Sequence, residues 1–251
     1  EGQVRSYIRG WAEEHADSVR TDALGNLIVF KRGRKAAENR LMLCAHMDST
    51  GLIVTHIEKE GFLRVGKLGG ISPKEAVYTP VRFKNGVRGC FLPEEKAEFG
   101  KLKLDECYLD IGAKNEAEAK KLARVGDTAV YDTPAFQSGE NVTSPYLDNR
   151  ISCAILLDAL ERLRDRQLDV DLYVLGSTQE ETHSTGAITA AFGIVPQLCV
   201  AVDVTHGDSP DVSKDKTFPL GGGPVIGVGP NCTRWMSQRM EQIAKDLELD
   251  Y

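Results

Sequence analysis

The chain has no apolar run long enough to cross a bilayer. Stretches such as residues 154–157 end after a few positions, where a spanning helix needs about 20. It has no excess of positive charge either: 31 Lys and Arg stand against 37 Asp and Glu, a net charge of −6. Nothing in that balance would grip nucleic acid or an anionic membrane surface. Its six cysteines, at 44, 90, 107, 153, 199 and 232, form no CxxC pair. Cys44, Cys107, Cys153 and Cys199 sit inside apolar segments, the pattern of buried, reduced thiols in a cytosolic protein rather than of a disulfide framework. GxxxxGK[ST] and a strand-borne GxGxxG are missing, so nucleotide binding has no motif behind it. GxSxG and HExxH are missing as well. The 24 glycines and 10 prolines among 251 residues are too few for a collagen-like or linker-like chain. No internal repeat or low-complexity tract is present. The chain opens without Met on a polar stretch already entering a helix, and reads as part of a longer polypeptide.

What is present is enough apolar material, 41% of the residues, for a sizeable core in one large or two small domains. Val4, Tyr7, Ile8 and Trp11 recur at helical spacing. Residues 19–22 and 27–31 read as a hairpin turning around Leu24-Gly25-Asn26. The apolar run 41–45, ending at His46, reads as a buried strand, and residues 52–57 and 62–65 read as two more. From about 59 to 133 the texture changes to short strands with Gly and Pro punctuation. An Asn85-Gly86 turn lies within it, and one short helix at 116–123 interrupts it. We expect here a small β-rich domain inserted between the two parts, 1–58 and 134–251, of an α/β domain. The second part alternates helix (151–163, with Asp148 as its N-cap or just before it), strand (170–175), helix (186–192), strand (198–202), strand (224–228) and a final helix carrying Met236, Met240, Ile243, Ala244 and Leu247. That rhythm predicts an α/β fold with a mostly parallel central sheet and helices on both faces.

Ligands of open α/β sheets bind beyond the carboxyl ends of the strands. His46 and Asp48 follow one strand, Glu180 and Glu181 another, and Asp203 ends a third. Asp148 begins a helix expected to pack on the same sheet. Each residue alone has an ordinary reading as a cap, turn or solvated loop residue. Together they place five carboxylates and one imidazole at one edge, a concentration of negative charge that calls for a cation. Mixed nitrogen and oxygen donors suit zinc, cobalt or manganese better than calcium. Of two adjacent glutamates, one can bind metal while the other takes a proton from water. In an H-x-D pair the aspartate can orient a metal-binding imidazole.

The strings AHMDSTG (45–51), PYLDNR (145–150), TQEE (178–181), VDVTH (202–206) and LGGGPVIGVGPN (220–231) resemble the tetrahedral, TET-type co-catalytic metallo-aminopeptidases, also described as glutamyl aminopeptidases or endoglucanase-like proteins. CYLDIGAKNEAEA (107–119) and GDTAVYD (126–132) are similar to that family's insert domain. The resemblance implies a zinc-peptidase fold. It implies two divalent cations, zinc or else cobalt or manganese. His46 and Asp203 would hold one, Glu181 the other, and Asp148 would bridge them. Glu180 would be the general base and Asp48 would orient His46. A cis peptide after Asp148 is implied too, as is a further histidine ligand from a region beyond Tyr251.

The same resemblance implies hydrolysis of amino-terminal residues from short peptides, by a homo-oligomer that is a dodecamer built from dimers through the insert; the cysteine pattern places it in the cytoplasm. Two departures from the family pattern stand out. Thr182-His183-Ser184-Thr185 follows the glutamates where the family usually has Gly, a bulky apolar residue and Arg, which leaves His183 as a further candidate ligand. The insert is also short between Val81 and Leu104. Three alternatives remain: an aspartyl-aminopeptidase-like enzyme, a deacylase or carboxypeptidase of the same clan, and an inactive fragment lacking one ligand.

Overall fold

The fold is described from a computed structural model covering residues 1–34, 39–210 and 212–251. These fall into two compact units, Glu1–Asp203 and Val204–Tyr251.

The first unit opens with helix α1 (Gly2–Ala12) and the hairpin β1 (Ser18–Thr21) and β2 (Leu27–Lys31). Strand β3 (Arg40–His46) follows. Next come β4 (Gly51–Ile57), β5 (Leu63–Leu68), the short helix α2 (Pro73–Ala76), β6 (Pro80–Phe83), β7 (Arg88–Pro93), β8 (Cys107–Asp110), α3 (Glu116–Leu122) and β9 (Thr128–Tyr131). A small ribbon, β10 (Phe136–Ser138) and β11 (Asn141–Thr143), leads to α4 (Leu147–Arg162), β12 (Asp171–Ser177), α5 (Glu180–His183), α6 (Thr185–Ile194) and β13 (Leu198–Ala201).

Five strands form the sheet, in the order β1-β2-β12-β3-β13. Strands β12 and β13 run parallel to β3, but β12 runs antiparallel to β2, and β2 to β1. The mostly parallel expectation is therefore corrected: half of the sheet's pairings are antiparallel. The tight β1–β2 turn fixes the first of these, because two strands joined by a short hairpin can only pair antiparallel.

Alternation along the strands divides the core. Leu27, Val29, Ala45, Leu172 and Val174 pack with Ile8, Leu156 and Leu160 of α1 and α4. Ile28, Met42, Cys44 and Leu175 pack on the opposite face with Ala190 and Ile194 of α6. Tyr7 leaves the expected helical stripe: it is 75% exposed and lines a groove with Arg150 and Leu157 of α4. Cys199 also departs from expectation, being exposed on β13, which pairs only with β3 among the described strands.

Strands β4-β5-β8-β7-β6-β9 close into a barrel filled by Leu52, Val54, Leu63, Val81, Phe91, Leu109 and Ala129. The β-rich region thus begins at Gly51, not near 59, because β4 pairs with β5 and β9 rather than with the sheet. The Asn85-Gly86 turn joins β6 to β7 as expected. Gly86 takes φ +91°, and the Asn85 side chain accepts from the Val87 N–H and donates to the Leu122 carbonyl.

In the second unit, helix α7 (Arg234–Asp246) carries Met236, Met240, Ile243 and Ala244 as expected, with Leu247 at its C-cap. Residues 224–228, expected as a strand, have no regular secondary structure. Pro224 lacks a ladder donor, and Gly227 has no side chain to pack, so the segment is a poor strand whatever its apolar content.

Candidate metal centre

His46 is the last residue of β3 and is buried, with 3% exposure. Cys153 of α4 donates a hydrogen bond to its carbonyl from Sγ, at 3.2 Å. The imidazole Nδ1 lies 3.2 Å from the Asp48 carbonyl oxygen and 3.5 Å from Asp48 Oδ1. That pairing turns Nε2 towards three carboxylates carried by separate elements. Asp148 Oδ1 is 3.1 Å away, Glu180 Oε2 3.7 Å and Asp203 Oδ2 3.9 Å. Donor atoms of His46, Asp148 and Asp203 all fall within 4.8 Å of one another. The three acids are partly exposed, so the cluster is anchored on its imidazole side and open on its carboxylate side.

Asp48 has a second task that its position in an H-x-D pair does not reveal. Its Oδ1 accepts from the Glu180 N–H and its Oδ2 from the Glu181 N–H, both at 3.1 Å. One carboxylate therefore ties the end of β3 to the first turn of α5. Burial alone would raise its pKa, but the bonds from His46 and from these two N–H groups hold it below the usual carboxylate range. The loop it grips is strained. Gln179 and Ser184, on either side of α5, are non-glycine residues in the left-handed region at φ +57° and +53°, a conformation that costs about 1–3 kcal/mol each and persists only where the surroundings impose it.

Glu181, whose N–H is held by Asp48, has its carboxyl beside the same cluster. Burial first, then the neighbouring Asp148, raises its pKa. Gly69, at φ +84° at the end of β5, passes against it: a Cβ there would sit 3.1 Å from Glu181 Oε2 and 2.9 Å from Thr50 Cγ2. The barrel thus supplies part of the wall of the site. Tyr146 ties the same two parts together by donating its hydroxyl hydrogen to the Tyr131 carbonyl of β9.

Asp148 lies at the start of α4, as expected, but the N-cap position itself is taken by Tyr146. Asp148 and Asn149 have non-helical backbone angles inside the first turn of α4, and the peptide between them is cis. Asn149 donates from Nδ2 to the Val202 carbonyl, which holds the start of α4 beside the end of β13 and so keeps Asp148 near Asp203. His183 is exposed and lies outside the cluster of donor atoms. Sequence reasoning missed Asn26, Gly69 and Cys153. Each looks ordinary locally, as a turn residue, a loop glycine and a core thiol, and gains its role only through contacts distant in sequence.

A cation fits this cluster. With Nδ1–H directed at Asp48, a neutral imidazole would present its Nε2 lone pair to three anionic oxygens, which is repulsive unless positive charge lies between them. Burial pulls the His46 pKa down, but the Asp48 hydrogen bond and the carboxylates of Asp48, Asp203 and Glu180 outweigh it and push it up to about 9. A divalent ion with nitrogen and oxygen ligands answers the same demand with more charge.

Comparison with known proteins agrees with this chemistry. Residues 25–251 match the M42 glutamyl aminopeptidase family. A putative aminopeptidase of Acetivibrio thermocellus is 39% identical over 256 aligned residues, covering 100% of this chain and 76% of its own. An aminopeptidase structure from the archaeon Desulfurococcus kamchatkensis superposes with a TM-score of 0.90 at 33% identity, over 100% of this chain and 74% of that one. The TET1 peptidase of Pyrococcus horikoshii, described as able to assemble into a tetrahedron or a large octahedral shell, superposes with a TM-score of 0.80 at 29% identity, over 98% and 76%. The cluster of donor atoms that could hold a cation and the match over nine-tenths of the sequence lead to one conclusion: the chain belongs to the M42 family of metal-dependent glutamyl aminopeptidases.

Proposed function

We propose that this chain removes amino-terminal residues from short peptides with the help of two divalent cations, zinc by preference or else cobalt or manganese. His46 and Asp203 would hold one cation and Glu181 the other, with Asp148 between them. When bound, the cations supply Lewis acidity that polarises the scissile carbonyl and acidifies water. The observation that carries this reading is the convergence of Asp148, Glu180 and Asp203 on His46 Nε2 within 3.9 Å. Asp48 keeps the imidazole turned towards them.

Glu180 is the general base. Ser184 Oγ donates to its Oε1 at 3.3 Å, which leaves Oε2 facing the cluster. There it can take a proton from the attacking water and deliver it to the leaving amine. The carboxylates that remain around the site would hold the free ammonium group of the peptide. The barrel would serve oligomerisation, giving a dodecamer built from dimers. Six free cysteines, three of them buried, support a reducing, cytoplasmic setting.

The test uses the full-length protein, loaded with Zn²⁺ or Co²⁺. It should release residues from unblocked peptides and none from N-acetylated ones. Glu180→Gln should lower kcat by about 10²–10⁴-fold with the metal content unchanged. Equal activity in that variant would remove Glu180 from the role, and activity on N-blocked peptides alone would point to a deacylase.

A further inference from the structure

We infer that Asn26, in the turn between β1 and β2, is the positioning residue that sets Glu180 and Glu181 in place, an inference that builds on the roles proposed for them above. Asn26 is fully buried. Its Oδ1 accepts from the Thr178 N–H at 3.0 Å and the Thr178 hydroxyl at 3.3 Å. Its Nδ2 donates to the Gly186 carbonyl at 3.0 Å and to Asp22 Oδ2 at 2.7 Å. The amide therefore uses its full donor and acceptor capacity.

Thr178 and Gly186 are the two ends of the segment that carries both glutamates, and the Gly186 N–H closes it onto the Thr178 carbonyl at 3.1 Å. One side chain thus clamps the base of the loop whose tip Asp48 grips. The clamp leaves no room for play. A Cβ on Gly186 would lie 2.1 Å from the Thr178 carbonyl oxygen and 2.5 Å from Asn26 Oδ1.

Asn26 is itself held. Asp22 Oδ1 accepts from the backbone N–H groups of Leu24, Gly25 and Asn26, and Arg5 of α1 donates to the Gly25 carbonyl at 2.9 Å. The chain of restraint runs from α1 through the hairpin turn to the loop. The left-handed residues Gln179 and Ser184 lie inside that loop, conformations that persist only where the surroundings impose them. Release of the clamp would let it relax.

The test compares Asn26→Ala, Asn26→Asp and the double exchange Asp22→Asn with Asn26→Asp in the full chain. Two readouts are taken: hydrogen exchange of the amides from 178 to 186 in metal-free protein, and kcat and KM of the metal-loaded protein. In Asn26→Ala, exchange should quicken by about tenfold or more within 178–186 and stay unchanged in β3. The value of kcat should fall by about 100-fold with KM little altered, as expected for reacting groups displaced by an ångström or so.

Asn26→Asp sets a carboxylate against that of Asp22 and should lose activity similarly. The double exchange restores an amide–carboxylate pair across the same contact and should recover part of kcat, and it gives the same reading if Asn26→Ala does not fold. A lower melting temperature with unchanged loop exchange and unchanged kcat per folded chain would overturn the inference and leave Asn26 a purely structural residue. If the parent protein released no amino-terminal residues, the proposed function would fail, while the exchange result would still decide whether Asn26 orders the loop.

Discussion

At the scale of single residues, the centre depends on how Asp48 divides its hydrogen bonds. Its carbonyl oxygen and one carboxylate oxygen face His46 Nδ1, and both carboxylate oxygens accept N–H groups from α5. Asp48→Asn keeps the size but turns one acceptor into a donor facing a backbone N–H. Loss of such an orienting partner typically lowers metal affinity or activity by about 10–100-fold. Calorimetric titration with Zn²⁺ should show that drop, and unaltered affinity would mean that the Asp48 carbonyl alone orients the imidazole. The thiols make an independent check on the core. Burial pushes Cys44 and Cys107 up to about 11 and Cys153 up to about 12, so all three stay protonated at pH 8, and only the thiolate reacts. A disulfide reagent at pH 8 should leave them untouched until denaturant is added. Rapid labelling of any of them in the native protein would contradict the packing described.

At the scale of elements, the barrel and the sheet meet where Gly69 passes Glu181. Gly69→Ala asks an L-residue to hold φ +84° and pushes its Cβ against Glu181 and Thr50. We expect activity to fall well beyond any change in stability, because the glutamate must move aside. Wild-type kcat in that variant would separate the barrel from the site. The barrel interior gives the converse test: Phe91, fully buried there, should cost about 3–5 kcal/mol when changed to Ala, measured by denaturant unfolding.

Much of this scale was legible in the sequence. The 41–45 run, the Asn85-Gly86 turn and the helix around 151–163 each declare themselves by local pattern, and Asp148, Glu180 and Asp203 lie within 3.9 Å of His46 Nε2. What local pattern cannot say is which sheet a strand joins. Residues 52–57 read as a strand correctly, yet nothing within them distinguishes the barrel from the α/β sheet. Buried polar struts escape for a related reason: Asn26 in a Gly-Asn turn looks solvated until Thr178 and Gly186, more than 150 positions away, are seen to use its amide. The one local hint is an Asp four residues before an Asn across a Gly-containing turn, a spacing that lets the Asp accept the turn's N–H groups.

At the scale of the whole molecule, charge and the proposed assembly would set how substrates reach the site. A chain of net charge −6 with a carboxylate-rich centre favours the free ammonium end of a peptide over its carboxylate end, which agrees with action from the amino terminus. If the barrel mediates assembly, the full-length protein should run as a large homo-oligomer in light scattering. Charge-reversing substitutions on the outer surface of the barrel should then reduce it to smaller species that still bind metal, whereas an unchanged mass would place the interface elsewhere. The most direct test of the account is a titration of chelator-treated full-length protein with Zn²⁺ or Co²⁺, with release of the amino-terminal residue of an unblocked peptide as the signal. The account predicts no activity without metal and a plateau at two ions per chain. Full activity in metal-free protein, or a plateau at one ion, would contradict it.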